Sequence, residues 1–133
     1  MTENEIAQIV YTAYKKMMHT LGTGLLEKAY EEVLAYELRK EGLTVEKEVD
    51  LSLQYESLCV EHAYRIDLLV ENKVIIELKA QDKLLPIHQT QLLTYLKLSN
   101  KKLGLLINFG GNSSDSFKRI INCTAITELD QDM

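Results

Sequence analysis

Hydrophobic residues recur at helical spacing in two segments at the start of the chain. From Glu3 to about His19, apolar positions follow one another at intervals of three and four residues and share one helix face. Beyond a glycine break, a second helix is predicted from Gly24 to Glu41. Both helices are expected to bury one face, and the stripe of the second consists of Leu25, Leu26, Ala29, Tyr30, Val33, Leu34 and Leu38.

The pattern next changes to the alternation that is typical of strands. Leu43 to Tyr55 alternates apolar and polar residues, with an interruption at Lys47, and is predicted as a half-exposed strand. A turn at Glu56-Ser57 leads into a long strand from Leu58 to Val70, and the polar break Glu71-Asn72-Lys73 leads into a third strand. Three successive antiparallel strands therefore form a meander.

The last part of the chain predicts a helix followed by a buried strand. Pro86 can start a helix at its first position, and this helix is expected to reach about Leu98. Leu103 to Phe109 is almost continuously apolar, as in an interior parallel strand that is entered through a helical crossover. The remaining segments are predicted as a loop (Gly110 to Ser116), a short helix or turn (Phe117 to Asn122), an edge strand (Cys123 to Leu129) and a frayed tail (Asp130 to Met133).

The hairpin around residues 71–73 predicts two unlike faces, because strand side chains alternate in direction. With this loop, Val70 lies opposite Val74, and Leu68 lies opposite Ile76. The second face carries Asp67 opposite Glu77, with Lys79 two residues further along. The first face is expected to be continuously apolar and to consist of Ile66, Leu68, Val70, Val74, Ile76 and Leu78.

The opposed acids on the second face leave two interpretations open. Cross-strand carboxylates about 5 Å apart repel by roughly 3 kcal/mol at an effective dielectric constant of about 20. A divalent cation held by both acids, with Lys79 beside it, would offset this repulsion. The alternative is a solvated outer face of an edge hairpin. Leu69 and Ile75 share the face with the acids and argue against full solvation.

Polar residues also form a column on the predicted third helix. His88, Gln91 and Tyr95 stand at spacings of three and four and share one face. Amide and phenol groups can orient a bound water or hold a phosphate oxygen. For His88 we favour a capping or solvent-facing role over a catalytic one.

Three short motifs resemble a known family. Gly24-Leu-Leu-Glu27-Lys-Ala-Tyr30 matches the signature of the GxxExxY proteins. Asp67, followed by Glu77-Leu78-Lys79, is similar to the acidic and E-x-K motifs of the PD-(D/E)XK nuclease superfamily. Gln91-Leu-Leu-Thr-Tyr95 is similar to the Q-x-x-x-Y motif of its RecB-like branch. The resemblance covers about Ile6 to about Asn122.

The resemblance implies a fold and an activity. The expected fold is an α/β, restriction-endonuclease-like mixed sheet flanked by helices, in the order ααβββαβ. The expected activity is metal-dependent hydrolysis of phosphodiester bonds, in DNA rather than RNA, with a catalytically silent binding or assembly module as the alternative. In the active case Glu27, Asp67 and Glu77 hold Mg²⁺ or Mn²⁺, and Lys79, Gln91 and Tyr95 complete the catalytic site. From the residues alone, the favoured interpretation of Glu27 is a first-turn acid that interacts with the helix dipole, and the resemblance reverses that preference.

Length and charge bound these expectations. A chain of 133 residues is expected to form one domain, with a core from about residue 6 to 122. The net charge of −5 argues against strong, non-specific binding of duplex nucleic acid by the lone chain. A homodimer or a partner protein would strengthen its binding to nucleic acid. Candidate phosphate contacts, which are equally well explained as solvated cations, are Lys15, Lys16, Lys28, Lys97, Lys101, Lys102, Lys118 and Arg119.

Two further expectations concern location and thiols. No apolar run reaches the length of a membrane span, and the N-terminus lacks the layout of a signal peptide, so a cytoplasmic location is expected. Cys59 and Cys123 lack metal-ligand spacing and are expected to be free, partly buried thiols.

Overall fold

The structure is a computed structural model that describes residues 1–111 and 114–124. Three α-helices and five strands are formed by these residues. In chain order they are α1 (Glu3–Leu21), α2 (Glu27–Lys40), β1 (Val45–Tyr55), β2 (Leu58–Val70), β3 (Val74–Lys79), α3 (Pro86–Ser99), β4 (Leu103–Asn108) and β5 (Phe117–Ile121), with a 3₁₀ turn at Ser114–Ser116.

The strands form one mixed sheet in the order β1-β2-β3-β4-β5. The pairs β1/β2, β2/β3 and β4/β5 are antiparallel, while β3 and β4 are parallel and joined through α3. This confirms the expected restriction-endonuclease-like mixed sheet with a parallel strand entered through a helix. The hairpin register is also confirmed, because Leu68 pairs with Ile76 and Val70 with Val74.

Strand β5 corrects the prediction of a short helix or turn at Phe117 to Asn122. The apolar residues Phe117, Ile120 and Ile121 stand at helical spacing, but the segment pairs instead with β4. Pairing with a neighbouring strand overrides such a short periodic signal. Cys123 and Thr124 form a turn, and the rest of the predicted edge strand and tail lies outside the described residues.

Two hydrophobic clusters sandwich the sheet. On one face, α1 and α2 pack against alternating residues of β2, β3 and β4, including Leu68, Ile76 and Leu105. On the other face, α3 contributes Leu92, Tyr95 and Leu96, which pack with sheet residues that include Leu69, Ile75 and Leu106. Because successive side chains of β3 and β4 point to opposite faces, one set packs against α1 and α2 and the other set packs against α3.

The alternation of β1 breaks at Glu48, whose φ is 55°, and that of β2 breaks between Ile66 and Leu68. Val45 belongs to the cluster under α1 and α2, whereas Val49 packs against the cluster under α3. Ile66 likewise lies with α3, while Leu68 lies with α1 and α2. A left-handed residue inside a strand turns the chain and interrupts its alternation. The prediction that Ile66 shares one face with Leu68 is therefore wrong.

Helix α2 begins three residues later than predicted. Gly24 has a φ of 105°, and the first helical residue is Glu27. Leu25 and Leu26 therefore precede the helix and are 40% and 81% exposed, so their assignment to the buried stripe is wrong. The Tyr30 hydroxyl holds the preceding turn, because it accepts a hydrogen bond from Leu25 N–H (3.2 Å) and donates one to Gly22 O (2.6 Å).

The two cysteines are free, as predicted, but both are exposed rather than partly buried. Cys59 lies near the tip of the β1–β2 hairpin, where neighbouring large side chains such as Leu58 are also exposed. Among the described residues, none of the helices combines the length and the apolar character needed to cross a membrane.

Candidate active site

Strands β2 and β3 separate where their acids stand. Their ladder runs from the Val70–Val74 pair to the Leu68–Ile76 pair. At the next position, hydrogen bonds from backbone N–H groups to side-chain carboxylates replace the backbone-to-backbone hydrogen bonds. Glu77 Oε1 accepts a hydrogen bond from Asp67 N–H (3.0 Å), and Asp67 Oδ2 accepts one from Leu78 N–H (2.8 Å). Each carboxylate therefore satisfies a backbone donor of the opposite strand.

Burial and mutual repulsion perturb both acids strongly. Burial raises the pKa of Asp67 to about 6, and the charges of Glu31 and Glu27 act in the same direction. Burial and the charge of Asp67 raise the pKa of Glu77 to about 8. The hydrogen bonds from the backbone and the ammonium of Lys79 oppose both increases. The pair therefore holds less negative charge near neutrality than two ordinary carboxylates would.

The next turn of chain is fixed by an asparagine on the neighbouring strand. Lys79 pairs with Asn108 across the parallel ladder. Asn108 Oδ1 accepts a hydrogen bond from Gln81 N–H (3.0 Å), and its Nδ2 donates to Gln81 O (2.8 Å). A Cβ at Gly110 would stand 2.3 Å from Gln81 O, so glycine is required for this close approach. The connection that follows Lys79 is thus held against the end of β4.

Helix α3 brings Tyr95 to the acids but leaves Gln91 in solvent. Tyr95 is buried, and its ring lies 5.5 Å from that of Tyr64. Burial and then the charges of Glu77 and Asp67 raise the pKa of Tyr95 to about 12, so its hydroxyl stays protonated. Gln91 is exposed on the same helix.

His88 caps the helix, as favoured from the sequence. Its Nδ1 accepts a hydrogen bond from Leu85 N–H (3.1 Å) at the start of α3. Burial and the charge of Lys79 lower the pKa of His88, while Glu27 opposes this shift. His88 therefore lies within electrostatic range of Lys79 on β3 and of Glu27 at the start of α2.

Two acids of α2 lie within electrostatic reach of the pair. Glu27 is exposed, and its charge raises the pKa of both Asp67 and Glu77. Glu31 is buried, and it was not predicted from the sequence as a site residue. Its position one helical turn after Glu27 and three residues before the buried Leu34 is the signal that could have indicated it. Burial among apolar neighbours is the feature that the local pattern underestimates for a glutamate.

Lys28 connects α2 to the irregular residue of β1. Its Nζ lies 2.9 Å from Glu31 Oε2 and 2.6 Å from Glu48 Oε1. These partners raise the pKa of Lys28 further above its usual range. Lys16 similarly pairs with Glu37 at 3.1 Å. Of the cations considered for phosphate contact, these two are engaged by carboxylates.

The donor set suits a hard divalent cation. Within the described residues, no three His, Cys, Asp or Glu side chains gather closely enough to hold a metal together, so ligation by Glu27 stays a prediction. Asp67 and Glu77 do meet, and Mg²⁺ often takes only one or two carboxylates and keeps several waters. No described residue donates a hydrogen bond to Asp67 Oδ1 or Glu77 Oε2. One oxygen of each acid therefore remains for a cation.

Comparison with protein families places the chain in a known group. Residues 4–120 match the PD-(D/E)XK nuclease superfamily. The chain belongs to that superfamily, whose nucleases generally use divalent metal ions.

The fold is also seen in a solved structure, that of SSO0001. It aligns with a TM-score of 0.54 and 21% identity, over 96% of this chain and 60% of the other. This chain therefore spans 60% of the length of that protein, and the likeness concerns the fold. No curated protein matches the sequence.

Proposed function

We propose that this protein is a metal-dependent nuclease that hydrolyses phosphodiester bonds of DNA at the Asp67–Glu77 pair. The observation that carries the proposal is the meeting of the half-buried carboxylate of Asp67 with the buried carboxylate of Glu77, whose pKa values rise to about 6 and about 8. Natural structures seldom withdraw two repelling acids from solvent without a compensating role. A cation between them would remove the repulsion and is what the superfamily uses.

Each residue of the proposed site has a task that follows from its chemistry. Asp67 and Glu77, joined by Glu27, would hold Mg²⁺ or Mn²⁺. When bound, such an ion polarises the scissile phosphate and lowers the pKa of a coordinated water. Lys79 would neutralise the negative charge that develops on the phosphate oxygens.

The α3 residues would act on the substrate side of the site. Tyr95 keeps its proton at physiological pH and is therefore a hydrogen-bond donor to a phosphate oxygen or to the attacking water. Gln91 is exposed one helical turn before it and would contact the nucleic-acid backbone. The Gly24, Glu27 and Tyr30 signature supports placing the protein with the GxxExxY group of the superfamily.

Several finer features belong to the same proposal. DNA is favoured over RNA as the substrate, and a cytoplasmic location is proposed. The net charge of −5 favours a homodimer or a partner protein that adds positive charge to the nucleic-acid surface.

A silent binding or assembly module is the second candidate. The same acidic balance favours it, as does the exposure of Glu27, which leaves two rather than three acids in contact. A module of this kind would keep the sheet and both helical layers without turnover.

Cleavage of a substrate panel separates the two candidates. Single-stranded DNA, duplex DNA and RNA are incubated with the protein in Mg²⁺ or Mn²⁺, with EDTA as the metal-free control. Lys79→Ala is expected to reduce DNA cleavage by about 10²–10³-fold, because it removes a cation that stabilises developing charge. Lys73→Ala, a loop lysine at the other end of β3, is the matched control and should retain activity. Cleavage that is unchanged in Lys79→Ala would assign the activity to another site or to a contaminant.

A further inference from the structure

A pocket with both apolar and charged lining residues opens at the carboxyl ends of the parallel strands β3 and β4. It has a volume of about 410 Å³ and lies between the connection after β3, the end of β4 and the β5 segment. Asn108, which lines it, is the ladder partner of Lys79. The pocket therefore lies one strand away from the proposed catalytic lysine, at the edge of the sheet where α/β proteins bind ligands.

Ser116 gives this pocket an unsatisfied hydrogen-bonding group. The residue is 3% exposed, lines the pocket, and its Oγ has no hydrogen-bond partner. Tyr14 lies near enough for Ser116 to moderate the raised pKa of its phenol, but no hydrogen bond of normal geometry joins the two side chains. A buried hydroxyl without a partner is unfavourable, because it loses its hydrogen bonds to water and gains none in the protein. Such a group calls for an explanation, and a bound acceptor or donor supplies one.

The charges around Ser116 indicate an anion. Lys83 and Lys118 both line the pocket, and neither takes part in an ion pair within the described chain. Asp115 also lines it and offsets one of these positive charges. Pro86, the first residue of the 14-residue helix α3, adds the positive end of a helix dipole.

We propose that this Ser116 pocket binds a phosphate group of the nucleic-acid strand next to the phosphate placed at Asp67 and Glu77. The inference rests on the proposed nuclease function for the identity of the strand, but the pocket's chemistry stands on its own residues. Ser116 would donate its hydroxyl proton to a phosphate oxygen, and the two lysines would supply charge. Because these contacts involve phosphate and not bases, the pocket would position the strand without reading its sequence.

The test is a titration of the protein with phosphate, monitored by NMR. EDTA is present throughout, so that metal-dependent cleavage cannot contribute. In the wild-type protein, inorganic phosphate at constant ionic strength should shift the amide signals of Ser116 and Lys118 saturably. Ser116→Ala should bind about tenfold more weakly, because one hydrogen bond to a charged group is lost. Its melting temperature should not fall, since alanine removes an unpaired buried hydroxyl. The double variant Lys83→Ala/Lys118→Ala should abolish saturation, whereas Lys73→Ala should match the wild type.

Competition then distinguishes the two sources of phosphate. Short DNA strands with a 5′-phosphate or a 5′-hydroxyl are added to the phosphate-bound protein. Preferential displacement by the 5′-phosphorylated strand supports a terminal monoester in the pocket, and equal displacement supports a backbone diester. Failure of both strands to displace phosphate would overturn the proposal, as would equal phosphate affinity in the wild type and Ser116→Ala. If the wild-type protein cleaves none of the substrates in the panel but still binds phosphate in the Ser116 pocket, only the proposed nuclease function is contradicted.

Discussion

The β2–β3 hairpin has two parts that are built on opposite principles. Toward the turn, Leu68–Val70 pairs regularly with Val74–Ile76, and all six residues are buried and apolar. One residue further, Asp67 and Glu77 replace the ladder with bonds from their carboxylates to backbone N–H groups. The same two strands therefore contain a stabilising segment and, directly beside it, an electrostatically costly one.

The difference separates a segment that stabilises the fold from the segment to which we assign the proposed metal site. The apolar segment gains from burial on both faces of the sheet, against α1 and α2 on one side and α3 on the other. The acidic segment keeps its geometry because each carboxylate satisfies a backbone donor that the diverging strands leave without a ladder partner. Burial and the neighbouring acidic charges raise the pKa values of Asp67 and Glu77, which makes the charged form of this segment unfavourable.

The largest expected effect is the loss of stability in the apolar segment. Ile76→Ala removes a fully buried side chain from the centre of the sheet and should lower the free energy of unfolding by about 2–5 kcal/mol. Urea denaturation followed by circular dichroism measures it. Ile87→Ala, at a residue 62% exposed, is the control and should change stability by less than about 0.5 kcal/mol. Similar losses of unfolding free energy in both variants would contradict the assignment of stability to the buried apolar segment.

In the acidic segment, by contrast, a substitution that removes charge should increase the stability of the protein. Glu77 holds its proton more tightly in the folded state, so its stabilising contribution is full below pH 4.5 and is lost as the pH rises through about 8. Glu77→Gln keeps the acceptor for Asp67 N–H and removes the charge. It should stabilise the protein by about 2–4 kcal/mol at pH 9 and have little effect at pH 4.

Melting curves across this pH range measure the difference between the variant and the wild type. Glu61→Gln, at an exposed acid of β2, is the matched control and should show no such dependence on pH. A Glu77→Gln variant that is less stable than the wild type at pH 9 would contradict the account of this segment.

A smaller effect is expected at Tyr95, where the acidic segment meets α3. Tyr95→Phe keeps the ring contact with Tyr64 but removes the protonated hydroxyl near the acids. Cleavage should fall about tenfold, the value of one hydrogen bond to a charged group, with little change in melting temperature. Tyr36→Phe, at an exposed position of α2, should leave the rate unchanged. A normal rate in Tyr95→Phe would remove this hydroxyl from the proposed site.

The sequence was sufficient for the features that depend on long periodic patterns. Helix α1, strand β2 and the hairpin register follow from local periodicity and from a polar loop, and the structure confirms them. The meeting of Asp67 and Glu77 follows from the same register. Other contacts depend on distant partners, as in β5, where pairing with β4 decides between helix and strand.

Local backbone geometry accounts for the remaining differences. The left-handed Glu48 interrupts the alternation of β1, so that Val49 packs against the cluster under α3, and an acidic residue gives no signal of that conformation. The late start of α2 depends on the Tyr30 hydroxyl and the turn it holds. The burial of Glu31 depends on packing between α2 and the sheet, which a single helix pattern cannot reveal.

The most direct test of the central claim is calorimetric titration of the protein with Mg²⁺ and with Mn²⁺. The account predicts saturable binding to the wild type and to Glu61→Gln, and its loss in Asp67→Asn and in Glu77→Gln, with all variants folded. Saturable binding that persists unchanged in both of these variants, or no binding to the wild type, would contradict the assignment of the acid pair as a metal site.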